Sequence, residues 1–352
     1  MNRNIIVVGR QKTGTTGVYS LIKSALAPMA DEYLFSFEPK KSGPLEQALR
    51  ACPGLNVMTK IMYKNMANFP LEMFGRRVMT VRDPRDALIS TLLFKPLLKN
   101  VVTTVEMPQH ERFLQALREK EANPQGVNVK DLMQLGNEVG YRKWRPRADE
   151  LLDMMAFARS NDFFLVHYED FVDHKVEPLA EYLSLPLNPQ QSSTPAWLSH
   201  ISRSKGHGAW RDWLTPEDVE FYRPLFKEAM DTMGYADDWE LNPNPSIDPA
   251  TSSRYVADAI EKRRHELSVR KDSGEDDAGA TLATLYSRAT DGGARDALAL
   301  ARRLDVPTNG SLRWPRSALR WAREAEMQGV RAAADLRSRL EQELAGVPAP
   351  RS

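Results

Sequence analysis

Residues 9–17 read Gly-Arg-Gln-Lys-Thr-Gly-Thr-Thr-Gly and directly follow the apolar run Asn-Ile-Ile-Val-Val. A strand that feeds a glycine-rich turn and then a helix aims backbone N–H groups at an anion, and the helix N-terminus adds its dipole. Thr15 and Thr16 offer hydroxyl donors, and Lys12 places a point charge inside the turn. The pattern is not the nucleoside triphosphate loop GxxxxGK[ST], in which the lysine follows the second glycine. Gly9 and Gly14 have that spacing, but Thr15 stands in the lysine's place. The turn is expected to hold some other phosphate-bearing ligand rather than merely to join two elements.

A turn of this kind needs a sheet beneath it. Residues 4–9 read as a strand, and the next segment as a helix with Val18, Leu21, Ile22 and Leu26 at helical spacing. Further strands are expected over 32–39, 55–61, 76–81 and 162–171, with helices over 45–51 and 86–94. Asp83 suits a helix N-cap and Pro84 the first helical position. Alternating strands and helices predict a three-layer α/β fold with a mainly parallel sheet. Residues 95–150 are polar and without a strand signal, and read as an insertion over the sheet. Residues 241–249, rich in proline and asparagine, read as a linker closing a domain of residues 1–240. Residues 250–352 read as a C-terminal α-helical extension. In it Leu336, Leu340 and Leu344 recur at i+4, which suits packing on the same chain or a homodimer through these helices.

Composition narrows the function classes. The formal net charge of +1 over 352 residues argues against bulk nucleic-acid binding. Cys52 is the one cysteine, so no internal disulfide forms; a filler role near a Pro-Gly turn suits it. No apolar run approaches the ~18 residues of a membrane span. The first strand begins so early that no signal peptide is expected, and a soluble, cytoplasmic protein follows.

The loop Gly9–Thr16 resembles the 5′-phosphosulfate loop of the sulfotransferases that use 3′-phosphoadenosine-5′-phosphosulfate (PAPS). Residues 78–90, VMTVRDPRDALIS, resemble that family's 3′-phosphate motif, and 204–218, SKGHGAWRDWLTPED, its late loop. Residues 164–171, FLVHYEDF, match a frequent family strand. The likeness runs over about residues 1–235. It implies a P-loop-like phosphosulfate site in which Arg10, Gln11, Lys12, Thr13, Gly14, Thr15 and Thr16 cradle the 5′ end. Arg82 would grip the 3′-phosphate bidentately, Ser90 would add a hydroxyl, and Lys205 and Gly206 would close over the same phosphate. Tyr168 belongs to the same nucleotide site. An ion pair with Asp83 or Asp86 is the competing use of Arg82.

The chain also departs from the pattern. The cytosolic branch carries an adenine-contacting tryptophan where Gly17 stands, so Trp210 is the candidate substitute. That branch's catalytic histidine is replaced by Met62, although Lys60 of the same segment is kept. Other branches, carbohydrate sulfotransferases among them, place a glutamate after the second strand, and Glu38 looks like that base. An ion pair with Lys60 is its competing reading. His167 and His207 are weaker candidates. The implied activity is sulfuryl transfer from PAPS to a hydroxyl acceptor, a glycan or small metabolite, without a metal. Glu38 would be the base, Lys60 its catalytic companion, and Lys12 would stabilise the leaving phosphate. His110, Tyr141 and Trp144 of the insertion would shape the acceptor pocket. A P-loop kinase or NTPase, with Asp83 as magnesium ligand, and a non-catalytic nucleotide-binding scaffold are the alternatives.

Overall fold

The computed structural model describes residues 2–51, 54–141, 148–191, 206–272, 294–305, 315–327 and 329–345. Cys52, Trp144 and Lys205 lie outside the described residues. Five strands form one parallel sheet: β1 (Ile5–Gly9), β2 (Tyr33–Phe37), β3 (Asn56–Met62), β4 (Arg76–Val81) and β5 (Phe164–His167). Their order is β2-β3-β1-β4-β5, and every neighbouring pair is parallel. All five residues of β1 are buried, so both faces of the sheet's centre are covered. An unbroken apolar strand is what such a position demands.

Helix α1 (Thr15–Ala25) packs on β1, β3 and β4 through a face that includes Val18 and Ile22. Helix α2 (Gly43–Ala51) packs on β3. Helix α3 (Pro84–Phe94) starts as expected: the Asp83 carboxylate accepts the Arg85 N–H at 2.9 Å, and Pro84 occupies the first turn. The chain leaves β1 towards β2 on one side and later leaves β4 towards β5 on the other. The crevice between the carboxyl ends of β1 and β4 is therefore the topological switch point, where open α/β sheets gather ligands. The stretch 162–171, read as a strand running into a turn, holds its strand at Phe164–His167. Tyr168–Val172 then forms a short helix because Glu169 turns back to accept the Asp83 N–H at 3.0 Å.

Between α3 and β5 the described residues hold α4 (Lys99–Thr104), α5 (Met107–Ala122), α6 (Val129–Glu138) and α7 (Ala148–Ser160). Tyr168–Val172 is α8, and α9 (Glu177–Leu183), α10 (Trp210–Trp213), α11 (Pro216–Met233) and α12 (Ser253–Asp272) follow. A second apolar core joins α3, α5, α6, α11 and α12, through residues such as Ile89, Phe113, Met133, Phe226 and Ile260. The boundary expected at residue 250 falls inside this core. Ile247 of the expected linker is buried in it, as are Val256 and Ile260 of α12. Asn242 donates to Asp212 Oδ1 at 2.7 Å, and Glu121 of α5 accepts from both the Ser253 N–H and its hydroxyl. Residues 241–249 are thus a docked strap. Proline and asparagine there terminate secondary structure without freeing the chain.

Beyond α12, helices Ala294–Asp305, Pro315–Met327 and Ala333–Ala345 pack in series. Leu336 and Leu340 are buried there and Leu344 is half-buried. Leu336 and Leu340 thus pack within their own chain, one of the two uses read for the stripe.

Candidate active site

The parallel sheet brings the carboxyl ends of β1, β2, β3 and β4 to one edge. Gly9 pairs with Met62 on one side and with Thr80 on the other, while Phe37 pairs with Lys60. The loop after β1, Glu38 after β2, Lys60 near the end of β3 and Arg82 after β4 therefore share that edge.

The loop is held from inside. The Thr13 hydroxyl donates to the Arg10 carbonyl at 2.8 Å and lies 2.9 Å from the Thr80 hydroxyl on β4. Thr13 is buried, so its hydroxyl shapes the loop rather than facing a ligand. A Cβ on Gly9 would come within 2.3 Å of Thr80 Oγ1, which is why the loop opens with glycine. Lys12 (φ 69°) and Gly14 (φ 82°) both adopt left-handed backbone. Such alternation turns successive N–H groups into a concave nest for an anion. Gly14 precedes α1 with no side-chain cap, and no acidic residue sits in the first turn of the helix. Those features leave the positive end of the helix directed at the loop. The Lys12 ammonium lies 4.5 Å from the Phe94 ring centroid. Arg10 turns aside to Glu150 at 3.1 Å, while Gln11 is exposed.

Arg82 is the centre of the arrangement. It is 7% exposed, and its guanidinium stacks 4.1 Å over the Tyr168 ring. Its hydrogen bonds are long: Nη1 to the Lys12 carbonyl at 3.3 Å and Nη2 to the Gly206 carbonyl at 3.5 Å. Its Nε has no partner among the described residues. A buried guanidinium with five donors in a fixed fork normally finds more than this. The carboxylates that competed for it are committed elsewhere. Asp83 accepts from Arg85 Nε at 2.9 and 3.1 Å, and Asp86 accepts the Gly208 N–H at 2.6 Å and the Trp210 N–H at 3.2 Å. Burial pushes the Asp86 carboxyl above its usual range, against the opposing pull of Arg82 and of these N–H groups. Tyr168 closes the other side, since a Cβ on Gly14 would lie 2.5 Å from its ring.

Glu38 has a left-handed backbone (φ 53°) and a side chain 43% exposed, while Lys60 is 3% exposed. The two form an ion pair, and the Glu38 N–H donates to the Lys60 carbonyl at 2.7 Å. Lys60 also lies 3.8 Å from the Met62 sulfur and 4.7 Å from the centroid of Phe37. Burial lowers the Lys60 pKa, and Glu38 opposes that shift. The ion pair weighed against a base for Glu38 is thus present. Left-handed backbone at a residue with a side chain is uncommon, and it recurs at two candidate chemical residues, Lys12 and Glu38.

No family model matches the chain, and no curated protein does. Among solved structures it is similar to mouse sulfotransferase SULT7A1 complexed with PAP, at 15% identity and a TM-score of 0.44, covering 66% of this chain and 89% of that one. It is also similar to retinol dehydratase in a complex with retinol and PAP, at 17% identity and a TM-score of 0.36, covering 65% and 82%. Likeness of this size assigns neither an activity nor a residue role to this chain.

The remaining sequence-stretch candidates divide. Thr15 is buried and Thr16 half-buried at the start of α1; Ser90 is buried on α3. Gly206 meets Arg82 through its carbonyl. Trp210 does not offer a face to adenine: it is 2% exposed, with Arg85 3.9 Å and Arg211 4.4 Å from its ring centroid. Instead, Phe171 of α8 fills the space over Gly17, where a Cβ would come within 2.7 Å of the ring. His110 and Tyr141 are buried in the second core, 2.9 Å apart from nitrogen to hydroxyl. His167 meets the Met233 carbonyl at 2.8 Å, and His207 meets Asp173 at 3.0 Å. Sequence reasoning missed Thr80, Glu169 and the anchoring role of Asp86. Period two along β4 puts Thr80 on the same side as Arg82 and was the available signal for the first.

Proposed function

We propose that the chain is a PAPS-dependent sulfotransferase acting on a hydroxyl-bearing acceptor, a glycan in the reading that Glu38 suggests. The observation that carries it is Arg82: a nearly sealed guanidinium whose Nε has no partner among the described residues, set beside an anion nest. One end of the site suits a phosphosulfate and the other a second phosphate, which fits a nucleotide with two anionic ends. PAPS supplies the sulfuryl group and its phosphate leaving group when bound.

In this reading the loop N–H groups and Lys12 hold the charge that develops on the departing phosphate oxygen; one such preorganised donor is commonly worth ~2.7–4 kcal/mol. Glu38, reachable from solvent and paired with Lys60, takes the proton of the attacking hydroxyl. Lys60 orients that carboxylate from below. Arg82, with Tyr168 beneath it, holds the 3′-phosphate.

A kinase or NTPase is less well supported, because Asp83 is spent on Arg85 and on the cap of α3 and is not turned to a metal. A scaffold without chemistry remains the alternative if Glu38 is idle. The single cysteine fits a reducing compartment such as the cytoplasm. Among the described residues no helix is long and apolar enough to cross a membrane.

Thermal melting tests the donor. PAPS or 3′-phosphoadenosine-5′-phosphate should stabilise the protein, by ~2.7 kcal/mol at 100 times the dissociation constant. Stabilisation by ATP-Mg alone would overturn the proposal, and transfer of labelled sulfate from PAPS into a glycan extract would establish the acceptor class.

A further inference from the structure

Four charged residues of the segment Arg82-Asp83-Pro84-Arg85-Asp86 are all buried. Three of them reach the same remote stretch. Arg82 donates to the Gly206 carbonyl, Asp86 accepts from the N–H groups of Gly208 and Trp210, and Arg85 stacks on the Trp210 ring. Alternate residues of 206–210 are thus tethered to the turn that begins α3. Gly208 has φ +81°, and no described residue comes within 4 Å of where its Cβ would be, so the glycine answers a backbone need.

We infer that Asp86 is a positioning residue for the donor site, a latch whose two carboxylate oxygens hold residues 206–210 against Arg82. The inference rests on the donor reading above. Its logic is one of acceptor count. Oδ2 takes the Gly208 N–H and Oδ1 the Trp210 N–H, so both oxygens are occupied. An asparagine offers one acceptor oxygen and would turn its NH₂ group on the other backbone donor. Trp210 is buried and Gly208 half-buried, so a lost partner leaves a donor poorly satisfied and lets the loop move. The Gly206 carbonyl then no longer stays beside the Arg82 fork, and the pocket for the second phosphate widens. The latch touches no reacting atom. It acts through the loop.

The experiment compares wild type with Asp86→Asn in two readouts. Amide exchange of the ligand-free protein should accelerate by about ten-fold or more at Gly208 or Trp210. Affinity for 3′-phosphoadenosine-5′-phosphate should fall roughly ten-fold, as for loss of a charge-assisted hydrogen bond. Affinity for adenosine-5′-phosphosulfate, which lacks the 3′-phosphate, should change less than ~three-fold by the same reasoning. If Asp86→Asn does not fold, Gly208→Ala strains the same loop while leaving the carboxylate in place, and should give the same selective loss. Unchanged exchange and affinity in a wild type that binds the 3′-phosphorylated nucleotide overturn the latch alone. A wild type that binds ATP-Mg and neither 3′-phosphorylated nucleotide overturns the donor reading, and the latch's role with it.

Discussion

Arg82→Ala separates binding from folding. Among the described residues the guanidinium has two long hydrogen bonds, of 3.3 and 3.5 Å, and an orphan Nε. Its contribution to folding therefore rests mainly on the Tyr168 stack, a contact worth about 0.5–2 kcal/mol. An incoming phosphate would satisfy the whole fork, and each hydrogen bond to a charged group is worth ~1.5–3 kcal/mol. The variant should lose only that modest stability while its affinity for 3′-phosphoadenosine-5′-phosphate falls roughly ten- to hundred-fold. Titration calorimetry with that nucleotide and with adenosine-5′-phosphosulfate gives the comparison. Only the first carries the 3′-phosphate, so only the first should weaken strongly. Equal losses for both nucleotides would show that Arg82 props the loop through the Lys12 carbonyl and binds nothing.

Glu38→Gln should leave donor binding nearly intact and cut turnover by about two to four orders of magnitude, measured in single-turnover assays; more than about a tenth of wild-type turnover would remove Glu38 as the base. A chain ending at residue 244 loses Val256 and Ile260, each fully buried, at ~1.5–3 kcal/mol apiece, so it should melt far earlier or not fold, while a chain ending at 272 keeps the second core and should bind the donor. Size and melting of the two truncations check this. The His110 pKa is pulled down to about 4 by burial and then by Arg264. The unfolded chain therefore binds a proton between about pH 6.5 and 4 that the folded chain refuses, so stability is full above pH 6.5 and falls on acidification. The loss is on the order of 3 kcal/mol, and urea melts of His110→Phe should be flatter across that window.

The sheet was legible because each strand announces itself locally. Ile5–Val8 and Val78–Val81 are apolar runs bounded by turn residues, and parallel strands buried on both faces must be so. The shared edge was equally implied, since consecutive strand–helix units place every carboxyl end on one side of the sheet. The boundary at 250 failed for the opposite reason. Proline and asparagine in 241–249 describe the local backbone, whereas the burial of Ile247 and Ile260 depends on α5 and α11, more than a hundred residues away in the case of α5. The leucine stripe at 336–344 was ambiguous in the same way: its spacing specifies a face, and only the fold specifies what covers it.

The site divides along that line too. Lys12, Glu38 and Arg82 could be picked out because their positions follow from strand ends. What could not be read was which polar group is already spent. Asp83 and Asp86 look equivalent beside Arg82 in sequence, yet the backbone of α3 turns Asp83 onto Arg85 and Asp86 onto the distant 208–210 loop. Trp210 looked like a ligand platform, and two arginines took its ring. Glu38 and Lys12 share a further property that no pattern of residue types predicts, a left-handed backbone at a residue with a side chain. Such conformations cost of order 1–3 kcal/mol each and persist where the surroundings over-determine them. Glu38 is fixed by its N–H on the Lys60 carbonyl and its carboxylate on the Lys60 ammonium, and Lys12 by its carbonyl under Arg82. The same contacts that hold these two residues in place are therefore the ones that Arg82→Ala and Glu38→Gln disturb. A turnover loss in either variant has to be read against the melting temperature before it is assigned to chemistry.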